Sequence, residues 1–352
     1  MSRWWLFLAA GAAALSWLLT GVALRYADDH ALLDVPNERS SHTRPTPRGG
    51  GIAIAVVTLG TFAAAGLGGW LPPKVVLALT VGGAGVAIVG WIDDHGGTGP
   101  LARVLVHIGA AALAVWLLGG FPSADIGFGP LRLGFLGSIV AVLGIAWAVN
   151  FYNFMDGIDG IAGLEAVTVG VAGGIVLWTR GQPRLGWAAF VVAAAALGFL
   201  PWNWAPARIF MGDVCSGLLG YYFGVLAVAS ENSGAAPASV WGLLLGVFVV
   251  DATVTLGRRL LRGERVYQAH RKHAYQRLVR SGLSHRAVCL VVLGLNLGLA
   301  ALAALAARRP ALLPAMLVGG ALLLGAAYVL VEGLSPFDEQ VVPRADPPGQ
   351  GS

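Results

Sequence analysis

The sequence has 352 residues, 57% of them hydrophobic and only 12% charged, with a mean hydropathy of +0.73. An ordinary soluble domain carries about 25% charged residues. This chain therefore has too little polar surface to cover itself in water, which excludes a soluble globular enzyme, a disordered chain and a disulfide-rich secreted domain. The net charge of +5 and the pI near 9.6 come from basic residues in short loops between apolar stretches. That distribution reflects membrane topology, and no nucleic-acid partner is expected. The two cysteines, Cys215 and Cys289, form neither a disulfide framework nor a metal-type spacing.

A bilayer core needs roughly 20 apolar residues per spanning helix. That criterion predicts an all-α polytopic membrane protein with about eleven transmembrane helices. In chain order they cover 4–24, 49–71, 74–92, 101–119, 133–152, 160–179, 185–201, 212–230, 239–257, 286–306 and 311–331. The first is too long for a signal-peptide core and is kept as a helix. Residues 1–334 read as one transmembrane domain. The polar, Pro/Gly-rich stretch 335–352 reads as a disordered tail. If the N-terminus lies outside the cytoplasm, most of the 23 Lys and Arg fall in cytoplasmic segments, above all in 257–286. Five acids not used to set that orientation, Asp93, Asp94, Asp156, Asp159 and Asp213, then fall at helix ends on the same side. Carboxylates at a membrane are costly and mark function.

Five segments carry chemistry. In PTPRGGG, Arg48 precedes a glycine triplet that opens a helix, and Arg39, His42 and Arg44 add charge. Arginine and a helix N-terminus both favour phosphate, although a basic turn explains the pattern equally well. In WIDDHG, Asp93 and Asp94 repel each other unless a cation or proton intervenes, and Mg²⁺ suits such oxygens. In NFYNFMDGIDG, Asn150, Asn153, Asp156 and Asp159 recur every third residue. They converge only if the helix breaks, which Gly157 and Gly160 allow. In PWNWAPARIFMGDVCSG, Asp213 opens a helix as a possible N-cap, while Asn203, Trp204 and Phe210 offer an amide and ring faces to a base. In AHRKHAYQRL, His270 and His273 suit one helical face, and Arg271, Lys272 and Arg277 suit an anion. A lipid-headgroup anchor is the plainer account of that loop. His107 and Asp251, inside spans, read as packed polar residues.

Together these motifs, over about residues 30 to 285, resemble the polyprenyl-phosphate N-acetylhexosamine-1-phosphate transferases. The resemblance implies transfer of a sugar 1-phosphate from a UDP-N-acetylhexosamine to undecaprenyl phosphate, with UMP released and Mg²⁺ required (Mn²⁺ as an alternative). It places the enzyme in a bacterial inner membrane with its active site facing the cytoplasm and in contact with membrane lipid, and it leaves a homodimer open. Carried over by motif, Asp213 and Asn153 match metal ligands. Asp93 and Asp94 match the catalytic acid pair, with Asp93 positioning or deprotonating the lipid phosphate. Asp156 matches a uracil contact, Asn203 and Phe210 help hold the nucleotide, and His270, Arg271 and His273 meet the diphosphate or sugar. Arg48, Asn150 and Asp159 complete the substrate-binding set. The HRKH form lacks the triple histidine of the peptidoglycan translocase and looks closer to enzymes that start O-antigen-type chains. Cys215 stands where the family usually has glycine, and is expected to crowd the phosphates and react with thiol reagents. The rival reading is a transporter with intramembrane acids; it predicts acids at mid-depth and repeated halves, and neither is present in the sequence.

Overall fold

The computed structural model describes residues 4–36, 44–265 and 270–337. Arg39 and His42 lie outside the described residues, as do 338–352. The helices are α1 (Trp4–Asp29), α2 (Ile52–Leu67), α3 (Pro73–Leu77), α4 (Gly83–Gly96), α5 (Pro100–Leu117), α6 (Gly134–Phe154) and α7 (Ile161–Thr179). They continue with α8 (Pro183–Asn203), α9 (Asp213–Asn232), α10 (Ala238–Leu244), α11 (Gly246–Leu261), α12 (Ala274–Arg280), α13 (His285–Arg308) and α14 (Leu313–Leu334). Two small antiparallel ribbons pair β1 (Leu33–Asp34) with β2 (Thr46–Pro47), and β3 (Ser123–Asp125) with β4 (Pro130–Arg132). The all-α membrane architecture is therefore as expected.

The count of eleven spans is not reproduced. Among the described residues, nine helices are long and apolar enough to cross a bilayer, or ten if a bent pair counts as one span. Two expected spans fail for different reasons. α2 has only 16 residues. The segment expected over 239–257 breaks at Leu245, where α10 and α11 bend by 83°. Conversely, α3 and α4 join through a π-helical turn, Ala78–Gly82, into one span from Pro73 to Gly96. A π turn leaves a carbonyl without its regular partner, and the Tyr221 hydroxyl donates to Ala78 O at 2.7 Å.

Helix α9 is the axis of the fold, with 89% of its apolar window buried. α4 and α6 pack along it, while α7 and α8 form an antiparallel pair that α1 covers. Small residues set these close crossings. Gly198 of α8 faces the Ala13 backbone of α1, Gly220 of α9 faces the Ala148 backbone of α6, and a methyl group at either would overlap that backbone. One carboxyl is fully buried between helices: Glu165 of α7 accepts from Asn296 Nδ2 of α13 at 2.6 Å, and the same amide donates to Thr168 Oγ1 at 2.9 Å.

Ser335 and Phe337, in the stretch expected to be a disordered tail, are buried at 1% and 3% exposure, because the chain turns back onto α11 and α12.

The Glu165–Asn296 contact predicts that Asn296→Leu lowers the thermal midpoint in detergent, at a cost of about 1 kcal/mol. Glu165→Gln, which keeps a partner for the Asn296 amide, is expected to cost less. Equal midpoints in wild type and Asn296→Leu would contradict this account of the crossing.

Candidate active site

The site forms where the C-terminal ends of α4 and α6 meet the N-terminal end of α9. Asp93 and Asp94 are adjacent in sequence, so on a helix they point about 100° apart, and they find different partners. Asp94 is buried at 7% exposure, and its two oxygens accept from the backbone N–H groups of Asp213 and Val214, both at 3.1 Å. Those N–H groups have no intrahelical acceptor at a helix start, and a carboxylate there also meets the positive end of the dipole. Asp94 thus caps α9 from another helix. Asp213 itself lies in the first turn of α9, after Gly212, so the expected N-cap role falls to Asp94.

Two glycines permit this approach. A methyl group on Gly90 of α4 would overlap the Asp213 carbonyl. Gly212 has a φ of +79°, and a Cβ there would sit 2.7 Å from Asp94 Oδ2.

Asp93 is held differently. Its Oδ1 accepts from Thr98 N at 2.7 Å and Thr98 Oγ1 at 2.9 Å, and its Oδ2 pairs with Arg103 Nη1. The same Arg103 nitrogen lies 3.4 Å from Asp213 Oδ2, so one guanidinium bridges two acids. Arg48 donates to the Asp94 main-chain oxygen. It also stands at the polar end of a groove between α1 and α2, whose walls include Leu19, Val22, Ile52 and Val56.

The Asn/Asp run breaks as its geometry requires. Asn150 and Asn153 are on α6; Asp156 and Asp159 fall in the turn before α7, which Gly160 closes at a φ of +84°. Asn153 Oδ1 accepts from Ser216 Oγ of α9 at 2.6 Å, which fastens α6 to α9 beside Asp213. Asn150 donates to Ala146 O at 2.7 Å. Asp156 is partly covered in the turn. Lost hydration, and after it the charges of Asp213, Asp94 and Asp159, hold its carboxyl well above the usual range.

Two members of the set serve the scaffold. Asp159 accepts from Ala207 N at 3.0 Å and lies 3.3 Å from His285 Nδ1. Asn203 is 2% exposed; its Oδ1 accepts from Gly160 N and its Nδ2 donates to Ile209 O, both at 3.0 Å. These contacts hold the turn and the 204–212 loop together and engage both ends of the Asn203 amide. Phe210 is partly exposed in that loop, which hydrogen-bonds through its backbone to Pro47 and Gly50 of the glycine segment.

His270 and His273 do not share a helical face, because both precede α12. Their ring centroids are nonetheless 4.8 Å apart. Asp251 accepts from Ala274 N at 2.8 Å and Tyr275 N at 3.2 Å, and lies 3.3 Å from His273 Nδ1, so it caps α12. Burial first, and then the neighbouring His273, Arg259 and Lys272, lower His270 to about 3. It is therefore neutral at physiological pH, and the positive charge of this loop comes from its Arg and Lys residues, Arg271 among them. The loop lies over the acidic turn: Tyr275 Oη donates to Phe154 O at 3.1 Å, and Gly157 leaves room for that hydroxyl.

Sequence reasoning missed Arg103, Thr98, Ser216 and the position of His107. His107 lines the same cavity as Arg103, Asn150, Asn153 and Asp213, with its Nδ1 buried and without a hydrogen bond. The signal for Arg103 was its distance from WIDDHG: Gly99-Pro100 starts a new helix, which turns position 103 back toward the acids. The expectation for Cys215 is corrected. The side chain is fully buried, and it packs where Gly51 has no Cβ, so it does not enter the cavity.

The arrangement gathers Asp93, Asp94, Asp156 and Asp213 around two paired arginines. Among the described residues no three His, Cys, Asp or Glu side chains form a ready ligand set. Such a site fits Mg²⁺, which takes one or two carboxylates and fills the rest of its octahedron with water and substrate phosphate. Asp213 and Asn153 are the residues that would hold it.

Two predictions follow from this geometry. Cys215 resists thiol reagents in the folded protein and labels only after denaturation, as mass spectrometry would read; rapid labelling of the native protein would contradict its placement. Mg²⁺ raises the thermal midpoint near pH 7.5, and the gain shrinks on acidification. Lost hydration first, and repulsion by the neighbouring acids after it, raise the Asp156 pKa, so ionisation destabilises the folded state as pH rises and protonation relieves it. A gain independent of pH would contradict this.

A family model described as glycosyl transferase family 4 matches residues 76–231, which include the acid pair, the Asn/Asp run and Asp213. Decaprenyl-phosphate N-acetylglucosaminephosphotransferase of Mycobacterium tuberculosis (strain ATCC 25618 / H37Rv) is 30% identical over 321 residues, 80% of this chain and 77% of that protein. A probable undecaprenyl-phosphate N-acetylglucosaminyl 1-phosphate transferase of Bacillus subtilis (strain 168) is 29% identical over 282 residues, 78% of this chain and 77% of its own length. Undecaprenyl-phosphate alpha-N-acetylglucosaminyl 1-phosphate transferase of Salmonella typhi is 27% identical over 281 residues, 77% of this chain and 75% of its own. On this extent of similarity, together with the acid cluster at the meeting of α4, α6 and α9, the chain belongs to glycosyl transferase family 4.

Proposed function

We propose that this membrane enzyme transfers N-acetylhexosamine 1-phosphate from a UDP-sugar to a polyprenyl phosphate, with undecaprenyl phosphate as the acceptor. UMP leaves, and the product is a polyprenyl diphosphate-sugar that begins a cell-surface glycan. The observation that carries this reading is the convergence of acids from α4, the α6–α7 turn and α9 beside two arginines, in a chain whose relatives are named for prenyl-phosphate sugar-phosphate transfer. A nucleotide sugar is dissolved in water and a polyprenyl chain in lipid. They meet only at a membrane face, and the charge distribution favours the cytoplasmic face of a bacterial inner membrane.

In the reaction an oxygen of the lipid phosphate attacks the sugar-bearing phosphorus of the donor, and the bond to the UMP oxygen breaks. Alignment and charge neutralisation do most of this work. Arg103 is aimed by Asp93 and Thr98 toward Asp213, where it meets the negative charge of the reacting phosphates. Asp94 turns both oxygens to the first N–H groups of α9, and its part is to fix Asp213. Asp213 and Asn153 would hold Mg²⁺, which would supply neutralisation of the phosphates' charge. Asp156 faces the nucleotide side of the cluster, and Arg271 meets the donor's diphosphate or sugar. The acids lie at helix ends and not at mid-depth, which leaves the transporter reading without support.

The test is UMP release from membranes given undecaprenyl phosphate, Mg²⁺ and a panel of UDP-N-acetylhexosamines. Release is expected with at least one donor and is lost with EDTA. Asp213→Asn and Arg103→Ala are each expected to lower it by roughly two orders of magnitude with the protein retained in the membrane. Undiminished release by Asp213→Asn would reject the site, and no release with any donor would reject the activity.

A further inference from the structure

We propose that Ser335 to Phe337, just after α14, form a latch that positions the basic loop for the donor, with Phe337 as its bolt. The inference rests on the reading that this loop, through Arg271 and its neighbours, meets the donor.

Four cations surround the Phe337 ring. Arg258 lies 4.2 Å from its centroid, Arg262 4.8 Å, Lys272 5.3 Å and Arg277 5.7 Å. These residues come from three places: the end of α11, the loop that follows it, and α12. Grouped alone they would repel one another. Glu332 at the end of α14 offsets that repulsion. It accepts from Arg258 Nη1 at 2.8 Å and Nη2 at 3.1 Å, and from Arg277 Nη1 at 2.8 Å. Arg277 is fully buried, and the same nitrogen donates to Ser335 O at 2.7 Å. Phe337 N donates to Glu332 Oε1 at 3.1 Å, so the ring and the carboxylate are held as one unit. Cations over an aromatic face are attracted to its quadrupole, more strongly where water is excluded, and this ring is 3% exposed.

The contacts continue to the site. Lys272, under the ring, pairs with Glu264, and its backbone N–H donates to His270 Nδ1 at 3.2 Å. Arg277 belongs to α12, whose first turn is capped by Asp251 and carries Tyr275 against Phe154. α12 and its preceding loop are therefore fastened at one end by Asp251 and at the other by Glu332 and Phe337. Removing the second fastening frees the loop without touching Asp213 or the acid pair. The consequence is specific to the donor.

The test uses full-length enzyme in detergent with three readouts: trypsin cleavage after Arg262, Arg265, Arg271 and Lys272, KM for the UDP-sugar, and KM for undecaprenyl phosphate with kcat. Phe337→Leu keeps apolar volume and removes the ring face. It is expected to speed cleavage and raise donor KM about tenfold, with acceptor KM and kcat within about twofold, while Phe337→Tyr behaves as wild type. Arg271→Ala serves as the control for the loop itself. A raised donor KM in Arg271→Ala with unchanged cleavage and donor KM in Phe337→Leu would overturn the latch and leave the donor reading standing. Faster cleavage in Phe337→Leu with donor KM unchanged in both variants would overturn the donor reading and the proposal with it. If Phe337→Leu is lost from the membrane, Glu332→Gln, which retains the ring, is held to the same outcomes.

Discussion

The structure depends on one long-range cap: the Asp94 carboxylate on the first N–H groups of α9. A charged side chain is expensive in a bilayer unless its hydrogen bonds are met. A helix start is equally incomplete, with N–H groups that have no acceptor. Each group satisfies the other, and their union fixes Asp213, whose own N–H is one of the two that Asp94 accepts from. Gly90 makes the union possible by letting α4 approach the α9 backbone without a side chain between them. The membrane thus turns two separate deficits into the precise placement of a third group.

The rest of the site follows from that placement. With Asp213 fixed, Arg103 bridges it to Asp93, and Ser216 one helical turn on draws Asn153 of α6 to the same point. Asp156 is then brought close enough to the other acids for their charges to raise its pKa. Among the described residues, Arg48 and Arg103 stand beside these acids. A divalent cation and a phosphorylated substrate are what the proposed reaction would add there.

Much of the fold was legible because apolar length and helix punctuation are local. Gly157 and Gly160 marked the break in the Asn/Asp run, and the acids fell at helix ends or in the turns beside them. What was not legible depended on partners distant in sequence. Nothing in PWNWAP shows that the Asn203 amide is used on Gly160 and Ile209, or that Asp159 is held by Ala207. The 83° bend at Leu245 lies inside an unbroken apolar run, so hydropathy saw one span. Cys215 was expected to meet the phosphates because sequence gives a residue's neighbours along the chain and not its surroundings in the fold; its side chain is fully buried, with its Cβ against Gly51. The acid pair was read as one catalytic unit, whereas adjacent helix positions face different ways and perform different tasks.

The account stands on acids from three parts of the chain gathered around Asp213, which with Asn153 would hold one cation beside the donor. Anomalous diffraction from crystals grown with Mn²⁺ and a UDP-sugar tests this most directly. The account predicts a single strong peak within bonding distance of an Asp213 oxygen and the donor diphosphate, with Asn153 adjacent. A peak elsewhere, or a bound donor whose diphosphate lies away from Asp213, would contradict it.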